Sequence, residues 1–569
     1  MSEEKKLAHN EYMKIDSNYL RGTLAEGLAD TSTGGLTEDE QQLLKFHGCY
    51  LQDDRDIRAG RRKNKLEKAF SFLIRVRVPG GVATPAQWIK MDNLADDYAN
   101  GTIKLTTRQA FQLHGVIKTQ LKKTIQEINS AAMDTIAACG DVNRNVMCNP
   151  NPYLSEAHAD ILKISQEISD HLTPVTKAYH EIWLDGDKVE STAEEVEPIY
   201  GKTYLPRKFK IAVAVPPSND VDIHANDLSF VAIVEGSKVI GYNVAVGGGM
   251  GMTHGAPETY PRLADIIGFC TPEQVLDVSE KVLLVQRDFG DRTNRKHARL
   301  KYTIDDRSVE WFLEKVNEYL GYDLEPIREF KFDDNGDRFG WIEDHEGDFH
   351  LNLFIEGGRV RDRARTGLRQ IAEIHEGDFR LTGNQNLIIA KISPAKRPAI
   401  EALLEEYGLL KSHEQSALRL NSIACVSLPT CGLALAEAER ALPGVITELE
   451  NVLEESGLRH DAITIRMTGC PNGCGRPFLS EIAFVGRSPG KYNLYLGGGH
   501  AGDRLNKLYR EAVTREESIA LLTPIIRDYA KTREEGEKFG DFVIRAGYVV
   551  ATMNGLDFHA NLKPEATSA

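Results

Sequence analysis

FLIRVRVPGG at residues 72–81, followed by KLTTRQ at 104–109, is echoed later in the chain by HLNLFIEGG at 350–358 followed by RLTGNQ at 380–385. Each copy is a strand-like run that ends in Gly-Gly and is succeeded by a basic-Leu-Thr-x-x-Gln box. The Gly-Gly pairs end 277 residues apart and Thr106 and Thr382 lie 276 apart, so one insertion or deletion separates the registers. Each copy then leads to a Tyr-Asn strand that runs into three glycines, YNVAVGGG at 242–249 and YNLYLGGG at 492–499. The order A, B, A′, B′ is that of a duplicated chain. Such a chain folds with approximate two-fold symmetry, and the interface between its halves can take a large ligand. Helical spacing at 271–288 and 437–457 alternates with the strands, so the expected class is α+β, built from duplicated mixed modules.

A length of 569 residues exceeds one hydrophobic core and implies several domains. The net charge of −15 disfavours a nucleic-acid role. The N-terminus lacks an apolar signal region, and no stretch approaches the roughly eighteen apolar residues that span a bilayer; the expectation is a cytoplasmic protein with no membrane partner. Reduced cysteines follow from that compartment. Cys49, Cys139, Cys148 and Cys270 stand singly and read as core residues. Residues 1–58 form an arm with the charged run DDRDIR, able to pack on another chain or on this one. Residues 192–198 read as an acidic loop, and the end as a frayed tail.

Two strands carry cations where apolar residues are expected. In FLIRVRV, period two sets Phe72, Ile74, Val76 and Val78 opposite Arg75 and Arg77. In RKFKIAVAV it sets Phe209, Ile211, Val213 and Val215 opposite Lys208 and Lys210. With Arg108 in TTRQ and Arg144 in NRN, these make an anion site or, taken singly, solvated sheet faces.

The remaining four cysteines fall as Cys425-x5-Cys431 and Cys470-x3-Cys474, the latter in TGCPNGCGR. Zinc ribbons use two- or four-residue gaps, whereas a four-iron cluster tolerates varied spacing because each iron takes one thiolate. Pro471, Asn472, Gly473 and Gly475 let the backbone turn and aim amide N–H groups at sulfur. The glycine triplets fail G-x-G-x-x-G at Met252, no phosphate-loop motif occurs, and His345 and His350 have the wrong spacing for HExxH. Electrons for any redox reaction must come from another protein.

On these residues the chain resembles the sulfite and nitrite reductases that use sirohaem coupled to a four-iron four-sulfur cluster, and within them the assimilatory type whose haemoprotein (beta) subunit works beside a flavoprotein. The signature Thr-Gly-Cys-x3-Cys, six residues, an acid and an apolar run is met by Thr468 to Cys474 and then Glu481-Ile-Ala-Phe. The resemblance implies ferredoxin-like half-domains at 59–140 and 331–410 and two larger α/β domains, at 141–330 around sirohaem and 411–569 with the cluster. It implies that Cys425, Cys431, Cys470 and Cys474 hold the cluster, Cys474 bridging to sirohaem, and that Arg75, Arg144, Lys208 and Lys210 bind the substrate anion. Lys104, Arg108, Gln112 and His114 become candidates for the carboxylates of sirohaem. At the first of these the family usually has Arg; Lys104 keeps the charge but not the fork. The run NRKHARLK at 294–301 serves the same carboxylates or a solvated face.

The implied reaction is the six-electron reduction of sulfite to sulfide in sulfur assimilation and cysteine biosynthesis. Its expected electron donor is an NADPH-dependent flavoprotein (alpha) subunit, to which the N-terminal text points, or alternatively ferredoxin. A sirohaem nitrite reductase is the nearest rival, although its members tend to carry Asn at Lys210. A non-catalytic iron-sulfur or zinc protein is the rival of another class.

Overall fold

The computed structural model describes residues 6–151, 155–186 and 195–560. The tail at 561–569 and residues 192–194 of the acidic loop lie outside them.

Two five-stranded antiparallel sheets embody the repeat. The first runs Cys49–Asp53, Phe70–Val76, Phe111–Val116, Ile103–Leu105 and then Arg359–Val360, the last contributed by the second half. The second runs Gly340–Glu343, Phe349–Leu353, Leu387–Ile392, Asp378–Leu381 and Val82–Ala83, the last from the first half. Each half thus lends the strand after its Gly-Gly turn to the other half's sheet. The turns explain the glycines. Gly81 sits at φ +77° with Leu381 O only 2.6 Å from where a Cβ would be, and Gly358 at φ +67° with Leu105 O at 2.5 Å. Only glycine accepts both that conformation and that approach of the partner strand.

Period two holds along Phe70–Val76: Phe72, Ile74 and Val76 are fully buried and Arg75 is half-buried. Behind the turn, Thr84 and Gln87 close a capping box that starts the helix Pro85–Asp97. Trp88 of this helix is fully buried, stacked on Phe379 of the second half with ring centroids 4.8 Å apart. The two halves share a core here.

Two further five-stranded sheets repeat as well. One runs Met147–Cys148, Ile211–Ala214, Leu228–Glu235, Lys238–Val246, Asp265–Cys270; the other runs Ser422–Ala424, Ile465–Thr468, Ile482–Ser488, Lys491–Leu496, Lys507–Val513. In both, the first three strands are parallel and the last two antiparallel. The expected strand at 207–215 is shorter than its pattern. Ile211–Ala214 forms the strand, buried on both faces between parallel neighbours, and ahead of it Phe209 makes a single parallel bridge to Asn143. Lys208 and Lys210 lie on the extended approach to it. The helix expected at 437–457 likewise begins only at Leu442, with Pro443 in its first turn, where a missing N–H costs nothing.

The arm packs on its own chain. Lys14 Nζ donates to Leu205 O (2.7 Å) and pairs with Glu11, and Arg21 pairs with Glu181. Among the described residues no helix is long and apolar enough to cross a membrane.

Candidate functional site

The cysteines gather at the carboxyl ends of adjacent parallel strands, where α/β sheets usually hold ligands. Cys425 follows Ser422–Ala424, and Cys470 and Cys474 follow Ile465–Thr468. The Gln of each repeat box builds this end. Gln385 Oε1 accepts from Ala424 N (3.1 Å), one residue before Cys425, just as Gln109 Oε1 accepts from Cys148 N (3.0 Å) in the first half. Both glutamines are buried in left-handed conformations, φ +71° and +48°.

Backbone amides point at the sulfurs. Gly469 N–H donates to Cys425 Sγ (3.3 Å), the amides of Leu433 and Ala434 face Cys431, and that of Asn472 faces Cys470. Of the turn residues expected to do this, Asn472 does so; Gly469 is the glycine just before Cys470, and Leu433 and Ala434 lie outside the motif. Burial pushes the Cys425, Cys431 and Cys470 thiols up, and Cys474 is the next largest cause for all three. Arg55, in the charged run of the arm, donates to Ala434 O (2.6 Å) and Cys431 O (3.3 Å), clamping the loop from outside.

The structure fits a cluster better than zinc. Among the described residues no three His, Cys, Asp or Glu side chains converge closely enough to hold one metal ion. The four thiols are mutual electrostatic neighbours with N–H donors on three of them, a donor set that suits a cluster taking one thiolate per iron.

The first half carries the same positions without thiols. Met147 faces Ala212 as Ile423 faces Arg466, so Asn149 corresponds to Cys425, and the same offset carries Asp220 onto Cys474. The match extends to hydrogen bonds: Val215 N–H donates to Asn149 Oδ1 (2.6 Å), as Gly469 N–H does to Cys425 Sγ. Asn149 Nδ2 in turn donates to Asp220 Oδ1 (2.6 Å). One half keeps thiols and the other an amide–carboxyl pair. Sequence comparison misses this because the residue types differ and the intervening loops differ in length.

Cys474 is the exposed thiol of the four. Elements of the first half surround it. Thr107 Oγ1 donates to Cys474 O (2.8 Å), Met252 N–H donates to Pro471 O (2.8 Å), and Gly473, at φ +69°, leaves 2.6 Å between a would-be Cβ and Met250 O. Around this thiol stand the expected cations. Arg75 lies within electrostatic reach of Cys474 and is held by Gln112 Oε1 (2.9 Å) and Cys139 Sγ (3.1 Å). Gln112 Nε2 donates to His114 Nε2 (2.7 Å), and His114 Nδ1 meets Gln52 Oε1 (3.1 Å), a buried relay that fixes the arginine. Arg144 is buried, its Nε on Gly140 O (2.8 Å).

The side chains of Lys208 and Lys210 make no salt bridge or hydrogen bond among the described residues. Burial, then Arg207 and Arg299, pushes Lys208 down to about 7, while burial, Arg108 and Lys208 push Lys210 well below its usual value. Burial and Arg476 bring Arg108 to about 9; it donates to Asn145 O (3.0 Å), Ile211 O and Asn226. Among these cations one carboxylate recurs, Asp227, paired with Arg299 at 2.9 Å. Such an excess of buried positive charge costs several kcal/mol per unpaired ion unless a polyanion enters. A macrocycle with many carboxylates, plus a small oxyanion, fits it.

Lys104 is turned the other way. It is buried against Glu439 (2.8 Å) and Gly357 O, with Arg359 on the same carboxylate (2.7 Å). Arg77 also leaves the site, pairing with Asp134 at 2.7 Å beyond the end of its strand. Arg207 and Arg299, not singled out by strand periodicity, join the group. Cys139, read as a core residue, is buried but accepts from Arg75.

Comparison with known proteins agrees with this geometry. A family described as the nitrite/sulfite reductase ferredoxin-like half domain matches residues 65–131 and 342–407, enclosing both repeat boxes. One described as the nitrite and sulphite reductase 4Fe-4S domain matches 164–324, the copy without the thiols. The chain is 58% identical over 555 residues to "Sulfite reductase [NADPH] hemoprotein beta-component" of Oceanobacillus iheyensis, covering 97% of this chain and 96% of that one. It is 57% identical over 566 residues to the protein of the same name from Staphylococcus haemolyticus, covering 98% and 99%. Among solved structures it resembles the Mycobacterium tuberculosis NirA protein, with a TM-score of 0.77 and 25% identity, covering 95% of this chain and 97% of that one.

Proposed function

The chain belongs to the nitrite and sulfite reductase family, and from that premise we propose that it reduces sulfite to sulfide with six electrons, using a sirohaem coupled to a four-iron four-sulfur cluster. The observation that carries this reading is the exposed Cys474 thiol beside half-buried Lys208 and Lys210, whose side chains make no hydrogen bond or ion pair among the described residues. Cys425, Cys431, Cys470 and Cys474 would hold the cluster, and Cys474, the exposed one, would be the thiolate shared with the sirohaem side. When bound, these groups supply electrons one at a time to the substrate sulfur.

The chain's own residues do the rest. Arg75, fixed by Gln112 and His114, and Arg144 present guanidinium N–H groups that neutralise the dianion and orient it. Lys208 and Lys210 would pass protons from Nζ to the sulfite oxygens and take replacements from water, two protons per oxygen and six in all for the three that leave as water; an incoming anion raises both lysines back toward their charged form. Arg108 would meet sirohaem carboxylates, whereas Gln112 and His114 act through Arg75, and Lys104, already neutralised by Glu439, is turned away.

The purified protein should show sirohaem bands in its visible absorption spectrum; a colourless protein, or one with cluster absorption alone, would sink the proposal. Comparing kcat/KM for sulfite and nitrite separates the sulfite enzyme from the nitrite enzyme, and a strong nitrite preference would reverse the choice.

We propose an NADPH-dependent flavoprotein as donor, and Tyr12 and Ile15, both exposed on the arm helix His9–Asp16, as part of its landing site. Replacing both with Ala should slow NADPH-driven turnover more than turnover with an artificial reductant. Equal losses would contradict that role, and efficient turnover with ferredoxin would favour the other donor. The proposed units are the arm 1–58, half-domains 59–140 and 331–410, and α/β domains 141–330 and 411–569.

A further inference from the structure

Asp222 and Arg476 occupy the same position in the two halves. Each precedes a short 3-10 turn, Ile223–Ala225 or Pro477–Leu479, and each adopts a left-handed conformation, φ +50° and +51°. Each is followed after the turn by an acidic residue whose carbonyl accepts from the first glycine of a triplet: Asp227 O from Gly247 N (2.9 Å), Glu481 O from Gly497 N (3.1 Å). These equivalent residues carry opposite charge and bind each other, Arg476 Nε on Asp222 Oδ2, with Arg466 on the same carboxylate (2.7 Å). All three are buried.

The remaining guanidinium nitrogens of Arg476 reach both repeat boxes. Nη1 donates to Thr107 O (2.5 Å) and Nη2 to Gly383 O (2.8 Å). Thr107 and Gly383 are themselves equivalent, each following the threonine whose hydroxyl accepts the amides at the second and fourth positions beyond it. One side chain thus touches a pair of residues related by the internal repeat and is bound by its own counterpart.

We infer that Arg476 lies where the pseudo-two-fold axis crosses the seam, and that it is a positioning residue for Cys474. A closed path supports this: Arg476 is two residues from Cys474, it holds Thr107 O, and Thr107 Oγ1 holds Cys474 O. The exposed thiol is fixed relative to first-half elements, and therefore to Arg75, Arg144, Lys208 and Lys210. In a symmetric pair of identical halves this position would set like charges together. Divergence to Asp and Arg removes that conflict and makes the seam directional, with Arg on the side that keeps the thiols. A lysine here would keep the charge but could not span Asp222 and two carbonyls.

The inference rests on Cys474 serving both redox centres, so the test begins with the wild-type holoenzyme, whose electron paramagnetic resonance must show the cluster and the sirohaem iron coupled; uncoupled wild-type centres would remove the premise itself. Arg476→Lys and Thr107→Val are then measured for iron and sirohaem content, for that coupling signature, and for kcat and KM with sulfite. The expected result in both variants is a full cofactor complement, a changed coupling signature, and kcat lowered about tenfold with KM within a factor of two. An unchanged signature and kcat in Thr107→Val overturns the inference. So does a loss of activity in step with loss of cofactor. Thr107→Val decides the matter even if Arg476→Lys fails to fold, because it removes one hydroxyl and leaves the buried ion pair in place.

Discussion

Arg75, Lys208 and Lys210 stood out in the sequence because charges at alternate positions of apolar runs are conspicuous against period two, which by itself fits an anion site or a solvated sheet face. What period two could not tell is which of them stays in the site. Arg77 obeys the same alternation as Arg75 but lies past the end of the strand and finds Asp134. Arg299 reaches the site from a helix N-cap far along the chain, a placement set by tertiary packing alone. Lys208→Ala should lower kcat/KM for sulfite about 100-fold or more, as expected for loss of a positioned proton donor, with cofactor content retained. A steady-state comparison in which the variant stays within threefold of wild type would remove Lys208 from that role. Cys270→Ala, by contrast, should leave turnover unchanged and cost about 1 kcal/mol in denaturant midpoint, because this thiol is buried, unshared and remote from the thiol group.

At the scale of elements, the Gly-Gly turns and the Thr-x-x-Gln boxes announced a duplication, and the sheets repeat accordingly. The reciprocal loan of Val82–Ala83 and Arg359–Val360 was not legible, since two-residue strands carry no periodicity. Nor was the job of the box glutamines, which depends on where Ala424 and Cys148 arrive in space. Each Gln satisfies a buried strand-end amide, so Gln109→Leu and Gln385→Leu should each cost about 1–3 kcal/mol of stability. Only the second amide precedes a proposed cluster ligand, Cys425. Iron analysis should therefore find cluster occupancy reduced in Gln385→Leu and kept in Gln109→Leu; equal occupancy in the two would separate the box from the cluster.

Across the whole molecule, the arm, the first half and the cluster domain are joined by buried charges that no local pattern reveals. Asp141 is an example. Burial pushes its carboxyl up, but Arg295 (2.8 Å) and Lys14 outweigh that and hold it below its usual 3.8. A carboxyl depressed in the folded state contributes stability that is complete above its unfolded value and is lost as pH falls through the folded one. Denaturant midpoints should therefore fall below about pH 4 in the wild type. Asp141→Asn should cost about 3–5 kcal/mol near neutrality, by stranding Arg295 and leaving Lys14 with Glu11 as its one carboxylate, and should lack that part of the acid slope. A parallel pH profile in the two proteins would contradict the ion-pair account. The central claim is that the two halves enclose one site that completes the reduction without releasing partly reduced sulfur. Its most direct test is to measure sulfide formed against electrons consumed by the purified holoenzyme at limiting sulfite. One sulfide per six electrons, with no other sulfur product, is the predicted result, and free intermediates or a different electron count would contradict it.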